Sequence, residues 1–136
     1  MARNDEEAAL ERKASMFGID VLRLLASEPE LADKFRWIAG LLVQAMREET
    51  SAKRRPIQRG ISKRTKELSD VVRQRHNQHK LPFRCIDDYD ECVRKRKGEK
   101  KSPYPCSVAL FICLANSVKV LVTAVAAGAV TGGVLR

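Results

Sequence analysis

Four cysteines in two equally spaced pairs constrain the fold of this chain more than any other feature. Cys85 and Cys92 are seven residues apart, as are Cys106 and Cys113, and both segments have the composition of helices. Seven residues make almost two helical turns, so both thiols of a pair face the same way and lie about 10 Å apart along the axis. If the segments pack antiparallel, Cys85 meets Cys113 and Cys92 meets Cys106. The spacing therefore predicts a disulfide-stapled helical hairpin.

Two other states of the cysteines stay open. The thiols can be unpaired and buried, because cysteine is a common core residue. They can also bind metal. In the antiparallel hairpin, however, the two facing cysteine pairs lie about 10 Å apart, so the four sulfurs cannot all be about 2.3 Å from one zinc ion. We expect disulfides, no metal and no cofactor.

The disulfide hypothesis bears on localisation. Residues 1–7 contain early acids and no apolar segment, so no cleavable secretory signal is expected. Disulfides are rare in the cytosol, where thiols are kept reduced. We therefore expect an oxidising compartment or membrane association.

The cysteine layout resembles the twin C-x9-C proteins of the mitochondrial intermembrane space, which have the CHCH fold. In this chain six residues, rather than nine, separate the cysteines of each pair. The resemblance implies a helical hairpin with two bridges. It also implies import into an oxidising compartment without a cleaved signal.

The rest of the chain is typical of an all-α protein. Aromatic residues make up 5% of the sequence and Trp37 is the single tryptophan, which argues against an aromatic-rich β-sandwich or barrel. In residues 1–50, apolar side chains recur at helical spacing over about 6–26 and 29–50, with Pro29 in an early turn of the second segment. We expect these two amphipathic helices to form an antiparallel pair.

Residues 51–84 form the basic middle of the chain. Pro56 and Gly60 predict a linker over residues 51–60, and the thin apolar face of residues 61–78 predicts a surface helix. Residues 47–101 hold eighteen basic and nine acidic groups, which favours an anionic partner. Nucleic acid is one candidate, through residues 53–75, and anionic lipid is another. The candidate binding residues are Lys53, Arg54, Arg55, Arg59, Lys63 and Arg64.

Residues 85–136 contain the predicted hairpin and an apolar end. A helix is expected over residues 85–97, with Gly98 as its stop, and a second from residue 106 to 135. The second helix carries one charge, Lys119, and is long enough to span a bilayer; a buried core helix is the alternative. Ala124, Gly128 and Gly132 are four residues apart, which favours a close helix contact.

No catalytic site is predicted. His76 and His79 are three residues apart, and both are expected to be exposed to solvent. The acids at residues 87–91 are typical of a helix N-terminus. No nucleophile and no histidine is paired with these acids, so we expect no enzyme.

Three functions follow from these patterns. The first is a non-enzymatic helical interaction or structural protein, a membrane-associated subunit of a larger assembly, with a protein partner or a second copy of itself. The second is a small basic nucleic-acid-binding protein. The third is the precursor of a ribosomally made modified peptide, because residues 24–35 resemble the helical leaders of the nitrogen-fixation-related leader family.

Overall fold

Five α-helices account for most of the residues that the structure describes. The computed structural model describes the backbone of residues 5–135 and the side chains of residues 6–125. The helices are α1 Asp5–Val21, α2 Pro29–Arg47, α3 Ser51–Gln78, α4 Cys85–Gly98 and α5 Tyr104–Leu135. A short 3₁₀ turn over Leu22–Leu25 joins α1 to α2. The described residues contain no strand, and the predicted all-α class is confirmed.

The predicted linker over residues 51–60 is wrong, because these residues form the first third of α3. Thr50 caps the helix, since its Oγ1 accepts a hydrogen bond from the Lys53 amide at 3.4 Å. Pro56 lies inside the helix and removes one backbone donor. Ile57 and Ile61 pack against the core, and this burial offsets the cost of the proline.

Residues 61–78 of α3 form a core helix rather than the predicted surface helix. Its Ile61, Leu68 and Val72 are fully buried. Thr65, Ser69 and His76 are buried as well, so the inward face is wider than its apolar residues alone indicate. One of these polar groups is satisfied within the helix, where Ser69 Oγ donates to the Lys66 carbonyl at 2.7 Å.

Helices α1, α2, α3 and α5 pack in a ring, each against two neighbours. The core between them is apolar, and Phe35 of α2 meets Phe111 of α5 with ring centroids 5.5 Å apart. Both phenylalanines are fully buried. The ring of helices is therefore a four-helix bundle in which α5 is one of the core helices.

Helix α4 lies outside the bundle and is bonded to α5 twice. Disulfides join Cys85 to Cys113 and Cys92 to Cys106, with Cα–Cα distances of 5.8 Å and 5.7 Å. The predicted pairing is confirmed. The helix extends to Gly98, and the left-handed residue that follows it is Lys100, with φ of 57°. Gly98 is therefore the last helical residue and not the turn itself.

A close approach of α1 to α5 depends on Gly18. A Cβ at this position would lie 2.7 Å from Phe111 Cζ and 3.3 Å from the Ala39 Cβ. We expect Gly18→Ala to lower the free energy of unfolding by about 1–3 kcal/mol, because overpacking forces the Phe111 ring to shift. Urea unfolding followed by circular dichroism measures this change.

Gly40→Ala is the matched control for this substitution. Gly40 lies in the interior of α2, and a Cβ there meets no atom within 4 Å. Alanine should raise the free energy of unfolding by about 0.5–1 kcal/mol, since glycine is unfavourable inside a helix. A Gly18→Ala variant as stable as Gly40→Ala would contradict the close approach.

Candidate anion-binding site

The basic side chains of α3 form a stripe on its exposed face. Arg55, Arg59, Lys63, Lys66 and Arg73 follow one another at intervals of three, four or seven residues, which places them on one side of a helix. All five are exposed. The stripe exists because the core occupies the other side of α3.

The N-terminal part of the stripe, with Arg55 and Arg59, lines an open cavity of about 700 Å³, which we call the basic groove. Its volume is within the range of small-molecule sites. Arg55 and Arg59 carry the positive charge of the lining, whereas Glu7 is acidic and accepts a hydrogen bond from Gln58 at 2.9 Å. A guanidinium can bind a phosphate through two parallel hydrogen bonds. The lining residues are Arg55, Gln58, Arg59 and Ser62 of α3, Ser102, Pro103 and Tyr104 at the start of α5, and Glu7 of α1.

The basic end of α4 adjoins the same groove. Arg96 donates a hydrogen bond from Nε to the carbonyl of Ser102, which is one of the lining residues. The Cys92–Cys106 disulfide joins the two helices at this level. Residues 94–101 contain six basic groups and one acid, so a basic segment is tied to Ser102 at the edge of the groove.

Acidic side chains partly neutralise the C-terminal part of the stripe, which contains Lys66 and Arg73. Arg73 lies 3.5 Å from Asp70, and Asp90 of α4 faces the same stretch across a smaller cavity of about 270 Å³. Lys66 is near the Tyr89 ring, 5.5 Å from its centroid. Positive charge along the stripe is therefore concentrated at its N-terminal end, around the basic groove.

The structure separates the six candidate residues of the basic middle. Arg55 and Arg59 line the groove, and the exposed Lys53 and Lys63 lie on the same helix. Arg54 instead donates to the Glu48 carbonyl at 2.8 Å, where it holds the α2–α3 connection. Arg64 lies on another side of α3, with its guanidinium carbon 3.5 Å from the centroid of the Trp37 ring.

Sequence reasoning missed the contribution of α4 and of the α4–α5 loop. The signal was present in the cysteine pairing, since a Cys92–Cys106 bridge brings the following residues 94–97 close to the start of the next helix. A buried polar network beneath the groove was missed as well. Glu11 is fully buried, and it accepts a hydrogen bond from the Tyr104 hydroxyl at 2.5 Å. This bond holds Tyr104 at the base of the groove.

The expectation that His76 is exposed is wrong. Its side chain is 2% exposed, with Nδ1 3.2 Å from the Pro82 carbonyl and Nε2 3.0 Å from the Ser117 carbonyl. The ring connects α3, the α3–α4 loop and α5, and it is therefore structural. His79 is exposed, as predicted.

The apolar helix α5 has a buried side and an uncharged exposed side. Residues Tyr104–Val125 are long and apolar enough to cross a bilayer by length and composition, a test that core helices of soluble proteins also pass. Phe111 and Leu114 of this helix are fully buried in the bundle. Among the predicted contact residues Ala124 is half-buried, and Gly128 and Gly132 lie outside residues 6–125, the part of the chain whose burial the structure describes.

Within residues 6–125, no group of three or more His, Cys, Asp or Glu side chains is arranged to hold a metal ion. No protein-family model, no curated protein and no solved structure matches this chain. The basic groove and the cations around it are thus the features from which a function can be argued.

Proposed function

We propose that this protein is a non-enzymatic helical interaction protein whose basic end binds the phosphates of a nucleic acid. The observation that carries the proposal is the basic groove, which Arg55 and Arg59 line together with Ser102, the residue whose carbonyl accepts a hydrogen bond from Arg96 of α4. A polymer of phosphates can contact both helices at once, because its charges repeat along its length.

The charge content of the two segments supports a polyanion. Residues 51–66 contain seven basic groups and no acid. Each cation that neutralises a phosphate releases condensed counterions, and this release drives binding without sequence specificity. A protein partner with an acidic face is a weaker match, since its carboxylates would have to lie along both helices.

The aromatic residues favour contacts to the phosphate backbone over contacts to bases. Tyr104, the one aromatic residue in the groove wall, is buried and its hydroxyl is bonded to Glu11. The exposed Trp37 lies beside Arg64, away from the stripe. We therefore expect binding with little sequence preference.

Neutralisation of the groove tests the proposal. We expect Arg55→Gln, Arg59→Gln and Lys63→Gln together to weaken binding to a fluorescein-labelled DNA duplex. The slope of log K against log salt concentration should become less steep by about 2–3, because each lost phosphate contact removes about 0.9 from the slope. Fluorescence anisotropy over a salt series gives both quantities.

The matched control removes the same number of charges from exposed sites elsewhere. Arg23→Gln, Lys34→Gln and Arg84→Gln together should change the slope by less than about 1, because these cations lie away from the groove. Equal effects of the two triple variants would show that net charge, and not the groove, determines binding. That result would contradict the proposal.

Membrane association and assembly into a larger complex remain proposals for α5. To enter a bilayer as a span, residues 104–125 would have to withdraw Phe111 and Leu114 from the core. They would also carry the two bridges to α4. The exposed, uncharged side of α5, with Ala109 and Val120, is the surface that a protein partner could cover without unfolding the bundle.

The peptide-precursor hypothesis has less support. Residues 24–35, which resemble a leader, contain Leu25, Leu31 and Phe35, and all three are buried. A leader that is recognised separately would have to leave the core.

A further inference from the structure

We propose that the Cys92–Cys106 disulfide controls the anion-binding end, so that the closed bridge adds the α4 cations to the α3 stripe and reduction removes them. This inference rests on the proposed function, because it describes how the same site is regulated. It concerns the number of phosphates that the protein neutralises, and it assigns a role to one bridge and not to the other.

Helix α4 has little apolar packing of its own. Among its fourteen residues only Cys85 is buried, and this residue is itself disulfide-bonded. Tyr89 is partly buried against the core. No apolar face of α4 holds its second half in place, so the bridges determine where that half lies.

The two bridges lie at different positions along α4. Cys85–Cys113 joins the acidic start of the helix to α5, next to Asp87 and Asp88. Cys92–Cys106 joins the helix to α5 just before the basic run of residues 94–97. Besides this bridge, the hydrogen bond from Arg96 to the Ser102 carbonyl ties the basic run to the loop that follows.

The Cys92–Cys106 bridge can be reached by a reductant from the Cys92 side. Cys92 is partly exposed, whereas Cys106 is 1% exposed. A thiolate of a dithiol reductant can attack Cys92 Sγ, forming a mixed disulfide and releasing the Cys106 thiolate, which takes up a proton. The second thiol of the reductant then displaces Cys92 as a thiol. Two electrons and two protons pass to the protein, and the dithiol becomes a disulfide.

The consequence is a change in the number of cations held at the groove. Arg94, Lys95 and Lys97 are exposed and lie on the segment that the bridge holds. When this segment is free to move, their contacts to a bound polyanion are no longer pre-arranged, and their ordering opposes binding. Binding through Arg55 and Arg59 remains.

Two disulfide variants test the inference in the oxidised full chain. Cys92→Ser with Cys106→Ser should weaken binding to the labelled DNA duplex at least tenfold at 0.15 M salt and reduce the salt slope by about 2. Cys85→Ser with Cys113→Ser, the matched control, should change affinity less than threefold. Circular dichroism of both variants checks that the bundle is folded. Equal losses in the two variants would overturn the inference.

A third variant keeps both bridges and therefore does not depend on folding without one. Arg94→Gln, Lys95→Gln and Lys97→Gln together should reduce the salt slope by about 2–3 in the oxidised protein. An unchanged slope would show that α4 takes no part in binding, which overturns the inference while leaving binding through α3 intact. Absence of salt-dependent binding by the unmodified oxidised protein would instead contradict the proposed function itself.

Discussion

Phe111→Ala is expected to lower the free energy of unfolding by about 3–5 kcal/mol, the cost of removing a phenylalanine from a packed core. The Phe111 side chain is fully buried, and it lies between the Phe35 ring of α2 and the backbone of α1 at Gly18. Three helices therefore lose contacts together. For a domain of this size the loss is a large part of the total stability. Urea unfolding followed by circular dichroism measures it.

Val120→Ala on the same helix is the control. Val120 is 54% exposed, so its truncation should cost less than about 1 kcal/mol, the range of surface substitutions. The comparison also addresses the two hypotheses for α5. If α5 is a core helix, truncation of Phe111 lowers the free energy of unfolding far more than truncation of Val120. Small and equal losses of stability in both variants would contradict the position of α5 in the bundle.

Removal of both disulfides is expected to have the second large effect. The Cys92–Cys106 bridge closes a loop of about 15 residues and contributes about 3 kcal/mol in the chain-entropy model. The Cys85–Cys113 bridge adds less than an isolated bridge would, because its loop already contains the inner one. We expect a variant with all four cysteines replaced by serine to lose more than 3 kcal/mol of stability relative to the oxidised protein.

The oxidation state of the purified protein can be measured independently. After denaturation and alkylation without a reductant, mass spectrometry should find no modified cysteine, since the structure pairs all four. Four alkylated cysteines in protein purified without reductant would contradict the bridges and, with them, the expectation of an oxidising compartment.

The cysteine spacing predicted the pairing because only one antiparallel register matches two pairs that are each seven residues apart. The apolar periodicity likewise predicted α2, where Leu31, Phe35, Ile38 and Leu42 are buried. In both cases the prediction used the spacing of side chains within single helices. Such patterns can be recognised without knowing the rest of the fold.

The prediction for α3 was wrong because it depended on tertiary contacts. Pro56 and Gly60 indicated a linker, but burial of Ile61 outweighs their low helix propensity. Residues 106–135 are apolar on all sides, so periodicity cannot distinguish a core helix from a membrane span. The packing of Phe111 against α1 and α2 depends on residues distant in sequence, so the pattern of this segment alone does not contain it.

The candidate site could be predicted only in part. The sequence indicated the α3 cations, because clustered basic residues need no partner to be recognised. It did not indicate that Arg54 holds the α2–α3 connection or that Arg64 lies beside Trp37. The basic groove itself depends on the α4–α5 loop, which meets α3 only in the folded chain.

The most direct test of the anion-binding end is an NMR titration of the ¹⁵N-labelled oxidised protein with a short DNA duplex. We predict that the largest amide shift changes cluster in residues 53–63 of α3, in residues 94–97 of α4 and in residues 99–104. Residues 70–80, at the partly neutralised end, should change little and serve as the internal reference. Shift changes centred on residues 70–80, or none at concentrations of DNA that saturate a basic surface, would contradict the assignment of the basic groove.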